Sequence, residues 1–140
     1  MKSLILITLL LRCCLAVKAQ LNQSQSQVKQ AMSNEKGWRF INYGTALDGK
    51  LDGAFFLQYG EDKQLLGKSF YFVNDSCKLI KFSYLNKHLK NIIKDMNSRF
   101  ISKGDNIWID EKEHSKYELI PDKEGLGLFD ILETPYSASN

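Results

Sequence analysis

Cysteine and histidine are scarce in this chain, and long apolar runs are missing. The 140 residues hold three cysteines and two histidines. Two of the cysteines, Cys13 and Cys14, lie in the first nineteen residues. Only Cys77 is left for the folded part, and one thiol cannot staple a chain to itself. His88 and His114 are too far apart for a zinc spacing such as H-E-x-x-H. No segment reaches the roughly 20 apolar residues that a membrane-spanning helix needs. Gly-x-Ser-x-Gly is absent, so there is no nucleophile elbow. "GLGLF" (125–129) lacks the third glycine and the following helix of a phosphate cradle, and reads as a hairpin turn with a bulge.

What is present begins with an export pattern. In "MKSLILITLLLRCCLAVKA" Lys2 precedes a short apolar core, and Ala16-Val17-Lys18-Ala19 supplies the small-x-small pattern of a cleavage site. The expectation is a signal peptide over 1–19, cut between Ala19 and Gln20, and a periplasmic or extracellular product. A lipid anchor on Cys13 or Cys14 would want small residues before the cysteine, and Leu11-Arg12 stand there instead. Losing Lys2, Arg12 and Lys18 takes 19 basic residues to 16 against 16 acidic, so the net charge becomes zero rather than +3. That balance gives no basic footprint for nucleic acid or anionic lipid. The remaining 121 residues (140 less 19) make one ordinary domain, able to bury roughly 60–70% of its unfolded surface without disulfides.

Along that domain, 20–36 reads as a polar segment with a short helix, capped by Ser24 or Ser26 and stopped at Gly37. The α+β domain follows over 37–133. "WRFINY" (38–43), "AFFLQYG" (54–60), "KSFYFV" (68–73) and "CKLIKFSY" (77–84) read as a meander of antiparallel strands. Its turns fall at the Asp48-Gly49 and Asp52-Gly53 pairs, at 61–63 and at 74–76. Leu85, Leu89, Ile92, Ile93, Met96 and Phe100 then form one apolar helical stripe, ended by Gly104, with His88, Lys90, Asn91, Lys94 and Asp95 on the wet face. Strands at 106–110, 116–120 and 126–133 close the chain, Pro121 ends the middle one, and 134–140 reads as a flexible tail. The expected fold is α+β, antiparallel meanders with one or two helices packed on one face, and a duplicated α-β-β-β unit.

The helix "QSQVKQAM" followed by a meander resembles the β-lactamase-inhibitory-protein-like superfamily, which includes small outer-membrane lipoproteins of the SmpA/OmlA type. The second half, with "GDNIWID" and "KYELI", is similar to small uncharacterised exported bacterial proteins. These resemblances rest on element order and the Trp108-x-Asp110 pattern over most of residues 24–133. They imply an exported binding or assembly module of the bacterial envelope, without catalysis or a cofactor, whose partner is another protein. The chain departs from the lipoprotein group in lacking an anchor signal, and no binding residue carries over.

Several residues invite chemistry. Cys77 is either a nucleophile, which needs a base such as His88 or His114, or a packed side chain, the common fate of a lone thiol. Cys77 and Leu79 share one strand face while Ile80, Phe82 and Tyr84 share the other. Both cannot face one core unless a bulge shifts the phase. The acids of 105–113 flank a strand-like Ile107-Trp108-Ile109 and read as a polar rim rather than a calcium loop. Asn22-Gln-Ser24 and Asn74-Asp-Ser76 match the glycosylation acceptor pattern, which has meaning only in a eukaryotic host. The aromatics are the remaining signal. Trp38, Tyr43 and Trp108 are candidate partner-binding residues, with Phe55, Tyr59 and Tyr71 as further rings that either fill the core or face out. The leading expectation is a non-catalytic binding module; the alternatives are a thiol hydrolase using Cys77 with a histidine, and a small-ligand binder with an aromatic sheet face.

Overall fold

The computed structural model describes residues 21–47, 51–61, 67–122 and 125–137. The leader with its Ala19/Gln20 cleavage point, the Asp48-Gly49 turn and the turn at 62–63 lie outside the described residues. Ser24 caps helix α1 (Gln25–Asn34) through a reciprocal pair: Gln27 N–H donates to Ser24 Oγ at 3.3 Å, and Ser24 N–H to Gln27 Oε1 at 2.9 Å. Such a box is worth about 1 kcal/mol at a helix start. Strands β1 (Trp38–Thr45), β2 (Phe55–Glu61), β3 (Gly67–Val73) and β4 (Ser76–Leu85) follow as a meander. Asn74 and Asp75, at φ 49 and 56, make the tight turn of the β3–β4 hairpin, where two left-handed residues match the strand twist.

A 3-10 turn, Asn86–His88, leads into helix α2 (Leu89–Arg99), and then come β5 (Ile101–Ser102), β6 (Ile107–Asp110), β7 (Ser115–Ile120) and β8 (Leu128–Pro135). All eight strands form one antiparallel sheet in the order β1-β2-β3-β4-β8-β7-β6-β5. Each half of the chain is a helix followed by four strands, and the halves meet through their last strands. In the second half the three expected strands gain a fourth, because the two residues of β5 pair with Ile109 and Trp108.

Both described helices contribute to one core with one face of the sheet. Val28 and Met32 of α1 and Met96 of α2 lie in a cluster with Leu57, Phe70, Ile80, Phe82, Tyr84, Phe129 and Ile131.

Three of the boundaries that differ from the sequence reading have structural causes. The apolar stripe does not start its helix at Leu85. That residue ends β4 in extended conformation, and Asn86 N–H donates to Gly127 O, which ties the turn to the β7–β8 connection. The helix ends at Arg99, where Phe100 turns extended and enters β5, before Gly104 is reached. The strand of the C-terminal segment continues through Thr134 and Pro135, which pair with Lys116 and Ser115, so no tail begins at 134.

Candidate functional site

Cys77 is the residue whose phase was in question. Tyr71 pairs with Leu79 but Phe72 pairs with Cys77, so the β3–β4 ladder carries a bulge at Lys78. The extra residue turns Cys77 to the face of Ile80, Phe82 and Tyr84, and its side chain is fully buried in the core. Beyond the Ile80–Glu133 pair the β8 ladder has stopped. The segment before α1 takes its place: Asn22 N–H donates to Cys77 O and Cys77 N–H to Gln23 O, both at 2.8 Å. Burial pushes the thiol from 9.0 up to about 12, helped by the charge of Glu133 and offset in part by backbone hydrogen bonds. Its Sγ–H points at Leu79 O, 3.7 Å away. The part of β4 beyond Cys77, residues 78–85, separates it from the His88 turn by roughly 26 Å at about 3.3 Å per residue. Among the described residues no histidine hydrogen-bonds the thiol. A nucleophilic cysteine needs the opposite surroundings, an accessible thiolate with a cation or base at hand.

Two charged side chains in phase with the core face were not singled out from the sequence. Lys68 has the same strand parity as Phe70 and Phe72, and its side chain is 1% exposed; Nζ donates to Glu35 Oε2 at 3.0 Å and stands 4.3 Å over the Trp38 ring. It joins the end of α1 and the start of β1 to the sheet. Glu133, in phase with Phe129 and Ile131, is fully buried, and its Oε1 accepts from Ser115 Oγ at 2.9 Å and Tyr117 Oη at 3.2 Å. The signal for both was available: a charge sitting on the apolar parity of its strand.

The three candidate aromatics part company. Trp108 is 3% exposed and donates from Nε1 to Asn97 Oδ1 at 2.8 Å, tying β6 to α2. It is a core residue and belongs to no surface. Trp38 is half-buried above Lys68. Tyr43 is 64% exposed. Of the further rings, Tyr59 is buried, while Phe55 and Tyr71 are half-buried.

The exposed aromatic face is built by a second bulge. Phe40 pairs with Tyr59 and Asn42 with Gln58, leaving Ile41 as the extra residue of β1. Residues three apart then share a face, and the Phe40 and Tyr43 rings stack with centroids 6.3 Å apart. Phe40 meets Tyr59 edge-on at 5.5 Å, Tyr43 meets Phe55 at 6.0 Å, and Phe55 meets Phe72 at 6.4 Å. An aromatic row thus runs from the core out to the sheet edge, on the side that carries the helices.

α1 leaves the outer end of that row uncovered because it is pinned over β3. At its start Gln25 N–H donates to Asp75 Oδ1 at the β3–β4 turn, and at its end Glu35 meets Lys68. Phe40, Ile41 and Tyr43 are 46%, 54% and 64% exposed. Phe40 and Ile41 were not among the candidates; the bulge that exposes them together leaves no mark in the alternation of "WRFINY".

Two concavities lie elsewhere. A cavity of about 30 Å³ beneath α2, beside Asp95 and Arg99, has room for about one water. Asp95, expected on the wet face, is half-buried against it, and burial raises its carboxyl despite the Arg99 guanidinium. A groove of about 430 Å³ on the opposite sheet face is floored by Lys81, Ser83 and Asp130. There Ser83 Oγ donates to Asp130 Oδ1 at 2.6 Å. Among the described residues no group of three His, Cys, Asp or Glu side chains is placed to hold a metal ion, and no helix is long and apolar enough to cross a membrane.

Comparison with family models, curated proteins and solved structures finds no match to this chain.

Proposed function

We infer that the protein is an exported binding module that engages another polypeptide through the aromatic face of β1 and β2. The observation that carries this reading is the row Phe40–Tyr43–Phe55, which runs outward from the core and ends in rings about half exposed at an edge strand. Clustered exposed aromatics at a sheet edge are unusual on a surface that only meets water, and aromatics are enriched where proteins meet. The export pattern at residues 1–19 and the resemblance to the β-lactamase-inhibitory-protein-like group support the same reading. A catalytic role for Cys77 has little support in the burial and raised pKa of its thiol.

The test is a photo-crosslinking amino acid placed at Tyr43, compared with one at exposed Lys90 on α2, in the cells that make the protein. The reading expects a discrete protein adduct from position 43 and none from position 90. Equal, diffuse labelling from both positions overturns it.

A further inference from the structure

We propose that the partner on this face is a second copy of the chain, the two β1 strands pairing antiparallel about a two-fold axis into one continuous sheet. The inference rests on the reading of the β1–β2 face as a binding surface and names its occupant.

The fold already contains one joint of this kind. Its two halves, each a helix and four strands, meet edge to edge and antiparallel through β4 and β8. That seam is filled by rings on the helix side: Tyr84 and Phe129 stand opposite each other and stack at 5.4 Å. A β1–β1 joint repeats the geometry at the other end of the first half, with Phe40 and Tyr43 in the place of Tyr84 and Phe129.

The two ends of the sheet are unequal. β5 has two residues and β1 has eight, about 26 Å of strand at about 3.3 Å per residue. Native edges are commonly blunted by charge, proline, bulges or a covering segment. β1 carries one charge, Arg39, and one bulge, and holds no proline or lysine. An association through β1 alone is isologous, and the short β5 edge offers nothing for further growth, so the assembly closes at two copies.

The strand is compatible with itself. Pairing centred between Ile41 and Asn42 sets Phe40 beside the partner's Tyr43 and Arg39 beside the partner's Gly44. The two arginines then lie at opposite ends of the joint and do not repel. Phe40, Ile41 and Tyr43 each offer on the order of 100 Å² of exposed side chain. Adding the backbone edge brings the two copies together to on the order of 1,000 Å², the lower bound for a specific interface. A reversible dimer of modest affinity follows.

The experiment is sedimentation velocity on the purified mature protein from about 1 to about 300 µM, spanning the range of a modest Kd. It is run on wild type and on Tyr43→Lys and Phe40→Lys, with thermal melting to show that each variant is folded. The expected result is a twofold rise in apparent mass for wild type and none for the variants. In parallel, an Asn42→Cys variant treated with a short bismaleimide should give a covalent dimer, because the buried Cys77 is not labelled. A wild type that stays monomeric at the highest concentration overturns the proposal, as does a dimer that both lysine variants retain. If the purified protein is monomeric yet position 43 crosslinks to a different chain in cells, the second copy is wrong and the binding face stands. If position 43 crosslinks to nothing and the protein is monomeric, both readings fail.

Discussion

Phe40 and Tyr43 lie three residues apart in one strand, yet their rings stack on the same face, 6.3 Å between centroids and 20° from parallel. Regular alternation would set them on opposite sides of the sheet. The bulge at Ile41 removes that separation, as an inserted residue does by shifting the phase of everything beyond it. The shared placement of the two rings at the edge of the sheet is therefore a consequence of ladder geometry.

Tyr43 and Trp108 should accordingly respond in opposite ways to truncation. Trp108→Ala removes a buried ring and its hydrogen bond to Asn97, and should lower stability by about 3–5 kcal/mol. Tyr43→Ala should change it by about 0.5 kcal/mol or less. Urea unfolding of both variants measures this; a large loss for Tyr43→Ala would make that ring part of the core.

Lys68 and Glu35 form a pair in which one partner is buried and the other is only partly so. Glu35→Ala leaves a buried ammonium over Trp38 and should cost about 1–3 kcal/mol, less than a fully enclosed pair because Glu35 keeps contact with water. Lys68→Met removes the charge along with its need for a partner, and should be close to neutral. Equal losses from the two substitutions in chemical denaturation would show that the contact with Glu35 is not what holds Lys68.

The buried Cys77 thiol makes stability depend on pH on the alkaline side. Its pKa is raised from 9.0 to about 12 in the folded chain, so between these values the unfolded state loses the proton first. The folded state then binds more protons, and stability falls with rising pH. The contribution is fully present below pH 9 and is lost progressively up to about 12. Cys77→Ala should flatten this part of the stability curve relative to wild type. Identical alkaline slopes for the two proteins would mean that the thiol is not enclosed.

Glu133 accepts from two hydroxyls inside the sheet–helix core. Glu133→Gln keeps an acceptor oxygen for Ser115 and Tyr117, whereas Glu133→Ala leaves both hydroxyls to find new partners. Alanine should therefore cost about 2–4 kcal/mol more than glutamine, on the scale of two buried donors losing their acceptor. Thermal melting that ranks the two variants equally would rule out a role for the hydrogen bonds.

The sequence by itself determined the α+β class, the run of strands, the capped first helix and the stripe of the second. These follow from neighbouring residues: Ser24 with Gln27, the spacing of Ile92, Ile93 and Met96, the aromatic and β-branched runs of β2 to β4. The split faces of Cys77 and Leu79 against Ile80, Phe82 and Tyr84 already called for a phase shift in β4. But only the tertiary structure placed the two bulges, because the extra residue is defined by the pairing with the neighbouring strand. Those bulges in turn decided that Cys77 points into the core with Ile80 and that Phe40 and Tyr43 share the helix-bearing face at the sheet edge. Trp108 was equally ambiguous in sequence, since a Trp in a short strand fits a core or an interface; its place beneath α2, bonded to Asn97, is set by residues eleven positions away in another element. Burial of Lys68 and Glu133 depended likewise on partners contributed by other elements, Glu35 and Trp38 for one and Ser115 and Tyr117 for the other. A charge enters a core only where such partners converge, and that convergence is a property of the packed sheet.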